Sequence, residues 1–187
     1  MLVCRWLART IGGPTVTAWR GKVVAMKTSY QCAKAAVRLN SEEVLSKGNF
    51  KTFDELFADD FVDHNPPPGF TPNKNGVRKL YKMLRTAFPD FRAEIHWQLA
   101  DRDWVTTYKT YHGTHRGEFL GIAPTSREVR FEALDVIRVF NGKLAEHWGV
   151  ANLFSLMNQL TPPQPARLHH SQDKVSLWVA STPWQVL

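Results

Sequence analysis

Around Pro89-Asp90 the hydrophobic period of the chain switches from about 3.6 residues to about 2. Before that point apolar side chains recur at helical spacing, and after it they alternate with polar ones. Helices first and strands second must segregate in space, which is the mark of an α+β fold rather than of alternating βαβ units.

In the helical half, residues from about Ser29 to Lys47 carry Ala33, Val37, Val44 and Leu45 near the helical period, and Gly48-Asn49 supplies a stop. Thr52-Phe53-Asp54-Glu55 has the form of a capping box and predicts a short helix with Phe53, Leu56 and Phe57 inward. Asn65 and Pro66–Pro68 predict a rigid loop. A third helix from about Asn75 aligns Val77, Leu80, Tyr81, Leu84 and Phe88 on one face and ends at Phe88-Pro89-Asp90.

In the strand half, Ala93, Ile95, Trp97 and Leu99 alternate with Glu94, His96 and Gln98, which predicts a half-buried strand. Further strands are expected at Trp104–Thr114, Val129–Phe140 and Leu144–Val150, with Gly117 to Arg127 as a long connection or short strand. Asn141-Gly142 between the last two is a strong hairpin signal. A last short helix runs from Asn152 to Leu160. A curved antiparallel sheet wrapped on the N-terminal helices leaves a cone-shaped hollow, a natural place for a small molecule.

The net charge of +7 invites a nucleic-acid reading, but its distribution opposes one. Residues 1–40 hold seven basic residues and no acid, whereas residues 41–160 hold 15 basic against 16 acidic. A duplex binder needs a basic face on its folded body, so no nucleic-acid partner is expected. No apolar run approaches the roughly 20 residues of a membrane span, so no membrane partner is expected either. Cys4 and Cys32 have neither metal nor redox spacing and are too few for a disulfide scaffold. The expected domain covers 29–160. Residues 1–28 form a basic extension that reads equally as a transit peptide, a basic arm or a mis-assigned start. Residues 161–187, with Trp178 and Trp184, read as a Pro-rich tail. The expected location is cytoplasmic, or organellar if the extension is a transit peptide.

Several words then occur in order: "LFADDFVDH" ending at His64, Ala87-Phe88-Pro89-Asp90, "GTHRGEFLG" from Gly113 to Gly121, Pro124-Thr125, and Asp135 followed by "GKLAEHW" from Gly142 to Trp148. Together they resemble the SnoaL-like polyketide (ester) cyclases over about residues 30–160. The resemblance implies an NTF2-like cone and, for the characterised cyclases, a cofactor-free intramolecular aldol ring closure on a small apolar carbonyl compound such as a polyketide. It also implies a homodimer paired through the open face of the sheet. Fold fixes function less firmly than it fixes shape. A non-catalytic ligand-binding or assembly domain, or another hydrolase, dehydratase or isomerase of the same cone, is the rival expectation. Two departures stand out: Asn152 where the family often has an Asp after the Glu-His-Trp word, and Ser126 after Pro124-Thr125 where Gly is usual.

Asp135 is the leading catalytic candidate. Strand alternation puts it on one face with Phe131, Ala133, Ile137 and Val139. Desolvation there should raise its pKa and suit it to move a proton α to a carbonyl. In the cyclases it resembles, an Asp at this strand position is the acid/base. The competing reading is a buried Asp paired with an Arg or Tyr for structure. His115 is the second catalytic candidate, hydrogen-bonding substrate or orienting Asp135, with a loop-anchoring role as its rival. His64 is a candidate for the pocket rim, or else a loop-fixing residue. His147 and Trp148 are adjacent on a strand, so only one faces the hollow. Trp148 is taken as the lining residue, a wall for a flat substrate. Of Tyr108 and Tyr111, on opposite faces of one strand, either can supply a phenol. Phe131 and Trp97 complete the expected lining. The histidines His64, His96, His112, His115 and His147 show no HxH, HxxxH or HExxH spacing on a helix, and no Gly-rich phosphate loop, GxSxG or CxxC is written. Neither a metal nor a cofactor is expected.

Overall fold

The computed structural model describes residues 30–161. The expected N-terminal extension, and the tail beyond Thr161, lie outside the described residues. Helix α1 is α-helical over residues 30–39 and continues as a π-helical segment, Asn40–Leu45. It buries Ala33, Ala36, Val37, Asn40, Ser41, Val44 and Leu45, one continuous stripe at three- and four-residue spacing. Helix α2 spans Phe50–Leu56, and its N-cap is Asn49, whose side chain accepts from the Thr52 amide. The helix therefore starts one turn before the expected capping box.

Strand β1, Phe57–Asp63, follows directly. No strand was expected there, because the "LFADDFVDH" word begins as the end of a helix and carries four charged or ionisable residues. Helix α3 spans Lys74–Ala87, capped by Asn73, which accepts from the Gly76 amide. Strands β2 (Arg92–Asp101), β3 (Trp104–Thr114), β4 (Glu128–Phe140) and β5 (Lys143–Ala151) follow, then helix α4 (Leu153–Leu160). Residues 115–127 form the long β3–β4 connection, whose ends are joined by backbone hydrogen bonds of His115 with Arg127 and Ser126 and whose tip is closed by a bridge between Phe119 and Ile122.

The sheet order is β1-β5-β4-β3-β2. β2 through β5 are antiparallel neighbours, while β1 adds to β5 in parallel. The sheet is thus mixed, with its one parallel strand at the edge. At the β4–β5 turn, Asn141 and Gly142 both take positive φ (51° and 76°), as a two-residue hairpin requires.

The helix-facing side of β4 reads as expected: Val129, Phe131, Ala133, Asp135, Ile137 and Val139 are all buried. Of these, Val129, Phe131, Ile137 and Val139 join two apolar clusters. One holds Phe53, Phe57, Phe61, Val105, Ile137 and Leu144 under α1 and α2. The other holds Phe88, Phe91, Phe119, Phe131, Leu156 and Leu160. Each such side chain contributes about 1.5–3 kcal/mol by leaving water.

Two β-bulges redirect side chains. In β2 the register steps from Ile95↔Lys109 to Trp97↔Tyr108, which leaves His96 as the extra residue. The faces exchange there. Ala93 and Ile95 turn inward, but Trp97 and Leu99 turn outward, at 43% and 66% exposure. In β5 the step from Val139↔Leu144 to Arg138↔Glu146 leaves Ala145 extra. The outer side of the sheet therefore shows Trp97, Leu99, Leu134 and Val150, beside Leu153 and Phe154 of α4.

Candidate active site

A small cavity of about 40 Å³ lies between the sheet and the helices. Phe57, Phe61, Val77, Leu80 and Ile137 form its apolar wall, and Asn40, Asp63, Tyr81, Asp135 and His147 are its polar lining. β4 supplies Asp135, β1 Asp63, β5 His147, α1 Asn40 and α3 Tyr81.

Asp135 does not stand alone on its apolar face. Lys109, two positions along β3 from the residue opposite Asp135, is 1% exposed and donates from Nζ to Asp135 Oδ2. On the other side, His147 Nε2 is 3.7 Å from Asp135 Oδ1. His147 Nδ1 is hydrogen-bonded to Asp63 Oδ1 at 3.0 Å. Two carboxylates, one ammonium and one imidazole thus share a single buried cluster.

The electrostatics reverse one expectation. Burial pushes the Asp135 pKa up, but the Lys109 charge, the nearby His147 and the Lys109 hydrogen bond outweigh it. The carboxyl group is held well below the usual carboxylate range. Desolvation was foreseen, but the buried cation opposing it was not. For His147, burial pulls the pKa down, while the nearby Asp135 carboxylate and the hydrogen-bonded Asp63 overcome it and set it at about 9. At neutral pH the site therefore presents an ionised carboxylate beside an imidazolium. Burial, with the Asp135 charge, raises the Tyr111 pKa. Burial first, then Tyr111, raises that of Tyr81. Both phenols stay protonated donors.

Gly149 makes the approach possible. It faces Asp135 across the β4–β5 ladder. A Cβ there would lie 2.6 Å from His147 Nε2 and 3.0 Å from Asp135 Oδ1. The Asn65 side chain fixes this stretch: its Oδ1 accepts from the Gly149 amide at 2.9 Å, and its Nδ2 donates to the Gly149 carbonyl. The amide side chain so extends the β1–β5 ladder past the end of β1.

The other expected site residues scatter. Tyr111 is on the inner face, stacked on Phe91 and 5.3 Å from Phe131 between ring centroids, and both belong to the second core cluster rather than the cavity wall. Tyr108 is on the outer face, bonded to Glu132 at 2.6 Å and near Trp97. Trp148 also faces outward. It stacks on His64 at 3.8 Å with the rings 5° from parallel, and His64 Nε2 pairs with Glu146 at 2.8 Å. His64, Trp148, Trp97 and Tyr108 are therefore outside the cavity. His115 is fully buried in the β3–β4 connection. Its Nδ1 accepts from the Thr125 amide at 3.3 Å and is 3.1 Å from Thr125 Oγ1, and its ring lies against Phe88. Burial lowers its pKa. That is the loop-anchoring arrangement, with no hydrogen bond to Asp135 among the described residues.

The site residues not foreseen are Lys109, Asp63, Asn40 and Tyr81, and His147 was passed over for its neighbour. Among the described residues, no group of three His, Cys, Asp or Glu is arranged to hold a metal ion, and no helix is long and apolar enough to cross a membrane.

The family model for SnoaL-like polyketide cyclases matches residues 35–160. Over 122 residues the chain is 31% identical to the nogalonic acid methyl ester cyclase of Streptomyces nogalater, covering 63% of this chain and 90% of that one. Among solved structures, IdmH of Streptomyces antibioticus, a presumed polyketide cyclase, superposes with a TM-score of 0.62 at 29% identity, covering 68% of this chain and 97% of IdmH. AclR of Streptomyces galilaeus, a presumed hydroxylase, gives a TM-score of 0.64 at 27% identity, covering 74% and 91% of the two chains. With its segregated helices, curved sheet and enclosed polar cluster, this chain belongs to the SnoaL-like polyketide cyclase family and has the NTF2-like α+β fold.

Proposed function

We propose that the chain is a cofactor-free acid/base enzyme that closes a ring by intramolecular aldol chemistry on a small apolar carbonyl compound, a polyketide methyl ester being the first to test. The observation that carries this reading is the meeting of an ionised Asp135 and a protonated His147 on the wall of a buried cavity, facing Phe57, Phe61, Val77, Leu80 and Ile137. Asp135 takes a proton from the carbon α to a carbonyl. The electrons left behind form an enolate, whose oxygen is stabilised by the His147 imidazolium in a water-poor site. The enolate carbon attacks a second carbonyl of the same molecule, one C–C bond forms, and the resulting alkoxide recovers the proton from Asp135. No atom is gained or lost.

A carboxylate with a depressed pKa is a weak base. In this scheme His147, which lowers the basicity of Asp135, returns that free energy by stabilising the enolate. Asp63 and Lys109 act through their partners and position the pair. Burial of Asp135 against Lys109 also supports a second reading, a ligand-binding domain in which the cluster only shapes the cavity.

Turnover of nogalonic acid methyl ester by wild type and Asp135→Asn separates the two. A loss of about 10²–10⁴-fold in kcat is expected for the variant. A wild-type chain that binds the ester without converting it, or an Asp135→Asn variant as active as wild type, removes the enzymatic reading. A homodimer paired through the apolar outer face of the sheet is part of the same proposal.

A further inference from the structure

His147 Nε2 and Asp135 Oδ1 are 3.7 Å apart, and both residues line the same cavity. The side-chain space left by Gly149 borders both atoms: a Cβ there would lie 2.6 Å from the first and 3.0 Å from the second. The two are therefore presented to one side of a bound molecule, not to opposite sides of it. At neutral pH the carboxylate is ionised and the ring is protonated. Nδ1 of the ring is bonded to Asp63 Oδ1 at 3.0 Å, so the proton free to leave is the one on Nε2, beside Asp135. A base without its proton next to an acid with its proton is the state needed to take H and OH from neighbouring carbons.

We propose that the chain also dehydrates β-hydroxy carbonyl compounds, the class of molecule that an aldol closure produces, by syn elimination across Asp135 and His147. This activity rests on the same pair as the functional reading above, but not on ring closure. Asp135 takes the proton from the carbon α to the carbonyl, and the electrons of that C–H bond become the new C=C bond. The bond between the β-carbon and its hydroxyl oxygen breaks with its electrons on oxygen. That oxygen takes the Nε2 proton of His147 and leaves as water. Asp135 then passes its new proton to the neutral ring, which holds a proton more tightly than the carboxylate does. Both groups return to their starting state with no other donor or acceptor. An anti elimination would need base and acid on opposite faces of the molecule, which this adjacency does not provide.

The test starts from an aldol already formed, so it is read apart from ring closure. 4-Hydroxy-4-phenylbutan-2-one is incubated with the full chain, and 4-phenylbut-3-en-2-one is followed by its ultraviolet absorbance. Wild type is expected to exceed the rate in buffer by about 10²-fold or more, and His147→Gln to lose about 10-fold or more of that rate. The same alcohol with one deuterium on the α-methylene, in a defined configuration relative to the carbinol carbon, reads the geometry. The trans enone should lose the deuterium from the diastereomer that sets it syn to the departing hydroxyl, and keep it from the other. No acceleration by wild type, a mixed or opposite label pattern, or a His147→Gln variant as fast as wild type overturns the proposal. Should His147→Gln not fold, the wild-type label pattern alone decides. Ring closure without dehydration sinks this activity and leaves the functional reading standing; dehydration without ring closure does the reverse.

Discussion

Nε2 of His147 lies 3.7 Å from Oδ1 of Asp135, while Nδ1 of the same ring is 3.0 Å from Oδ1 of Asp63. One imidazole is thus held between two carboxylates that come from different strands. Each carboxylate favours the protonated ring, and together they overcome the burial that opposes it. The same ring, with Lys109, keeps Asp135 ionised. The two members of the proposed acid/base pair are therefore set by one another, and neither can be altered without changing the titration of its partner.

Activity should persist to unusually high pH. Because the His147 pKa is about 9, kcat/KM for ring closure should hold through the neutral range and fall as pH rises through about 9. Asp63→Asn, by removing one negative neighbour, should move that fall to lower pH. Stability follows the same group: its folded pKa exceeds the ordinary value of about 6.5, so its contribution is complete below about 6.5 and lost as pH climbs through 9. A wild-type pH–rate profile that already breaks near 6.5 would contradict this assignment.

Lys109 should matter most to stability. Lys109→Met leaves the buried Asp135 without its ammonium partner, at an expected cost of about 3–5 kcal/mol in urea unfolding at neutral pH. Burial of Asp135 is then less opposed and its pKa rises, so the deficit should shrink as the pH is lowered toward 5. The double variant Lys109→Met, Asp135→Leu should recover most of the loss. A single-variant cost below about 1 kcal/mol, the value of an exposed pair, would mean that water reaches the pair.

How far the site could be read beforehand turns on two bulges. Strict alternation placed Asp135 on the buried face of β4, because nothing interrupts that strand. Counting from the Asn141-Gly142 turn without a bulge would set Trp148 opposite Asp135 and point it inward. The extra Ala145 shifts the pairing to Gly149 and turns His147 inward in its place. His96 does the same to Trp97. Neither bulge leaves a Gly or Pro as a marker. Lys109 was visible on the Val105, Thr107, Tyr111 face, but β3 carries polar residues on both faces, so its inner side could not be chosen. Asp63 was hidden in a word that reads as a helix end. The order of the helices and of strands β2 to β5, the hairpin turn and the α+β class rest on strong local periodicity and were legible; β1 was not.

The outer face of the sheet should mediate self-association. Leu134, Val150 and Phe154 are 41%, 72% and 78% exposed and border one shallow depression with Tyr108 and Leu153. Exposed apolar clusters of this kind mark contact surfaces. Light scattering should give a dimer for wild type and a monomer for Leu134→Glu with Val150→Lys, with the circular dichroism spectrum unchanged. A monomeric wild type at micromolar concentration would exclude pairing through this face.

Gly149→Ala should separate fold from chemistry. The added methyl would lie 2.6 Å from His147 Nε2 and 3.0 Å from Asp135 Oδ1. The backbone there has little room to retreat, because Asn65 holds both the amide and the carbonyl of residue 149. The imidazole must move instead, at an expected stability cost of about 1–3 kcal/mol for overpacking. A displacement of about 1 Å in a reacting group costs on the order of 10²-fold in rate, so kcat should fall by about that factor while the chain stays folded. The His147 ring, carried away from Asp135, should titrate lower than in wild type by proton NMR. If Gly149→Ala keeps both wild-type turnover and the high His147 pKa, then contact between that ring and Asp135 is not what sustains the reaction.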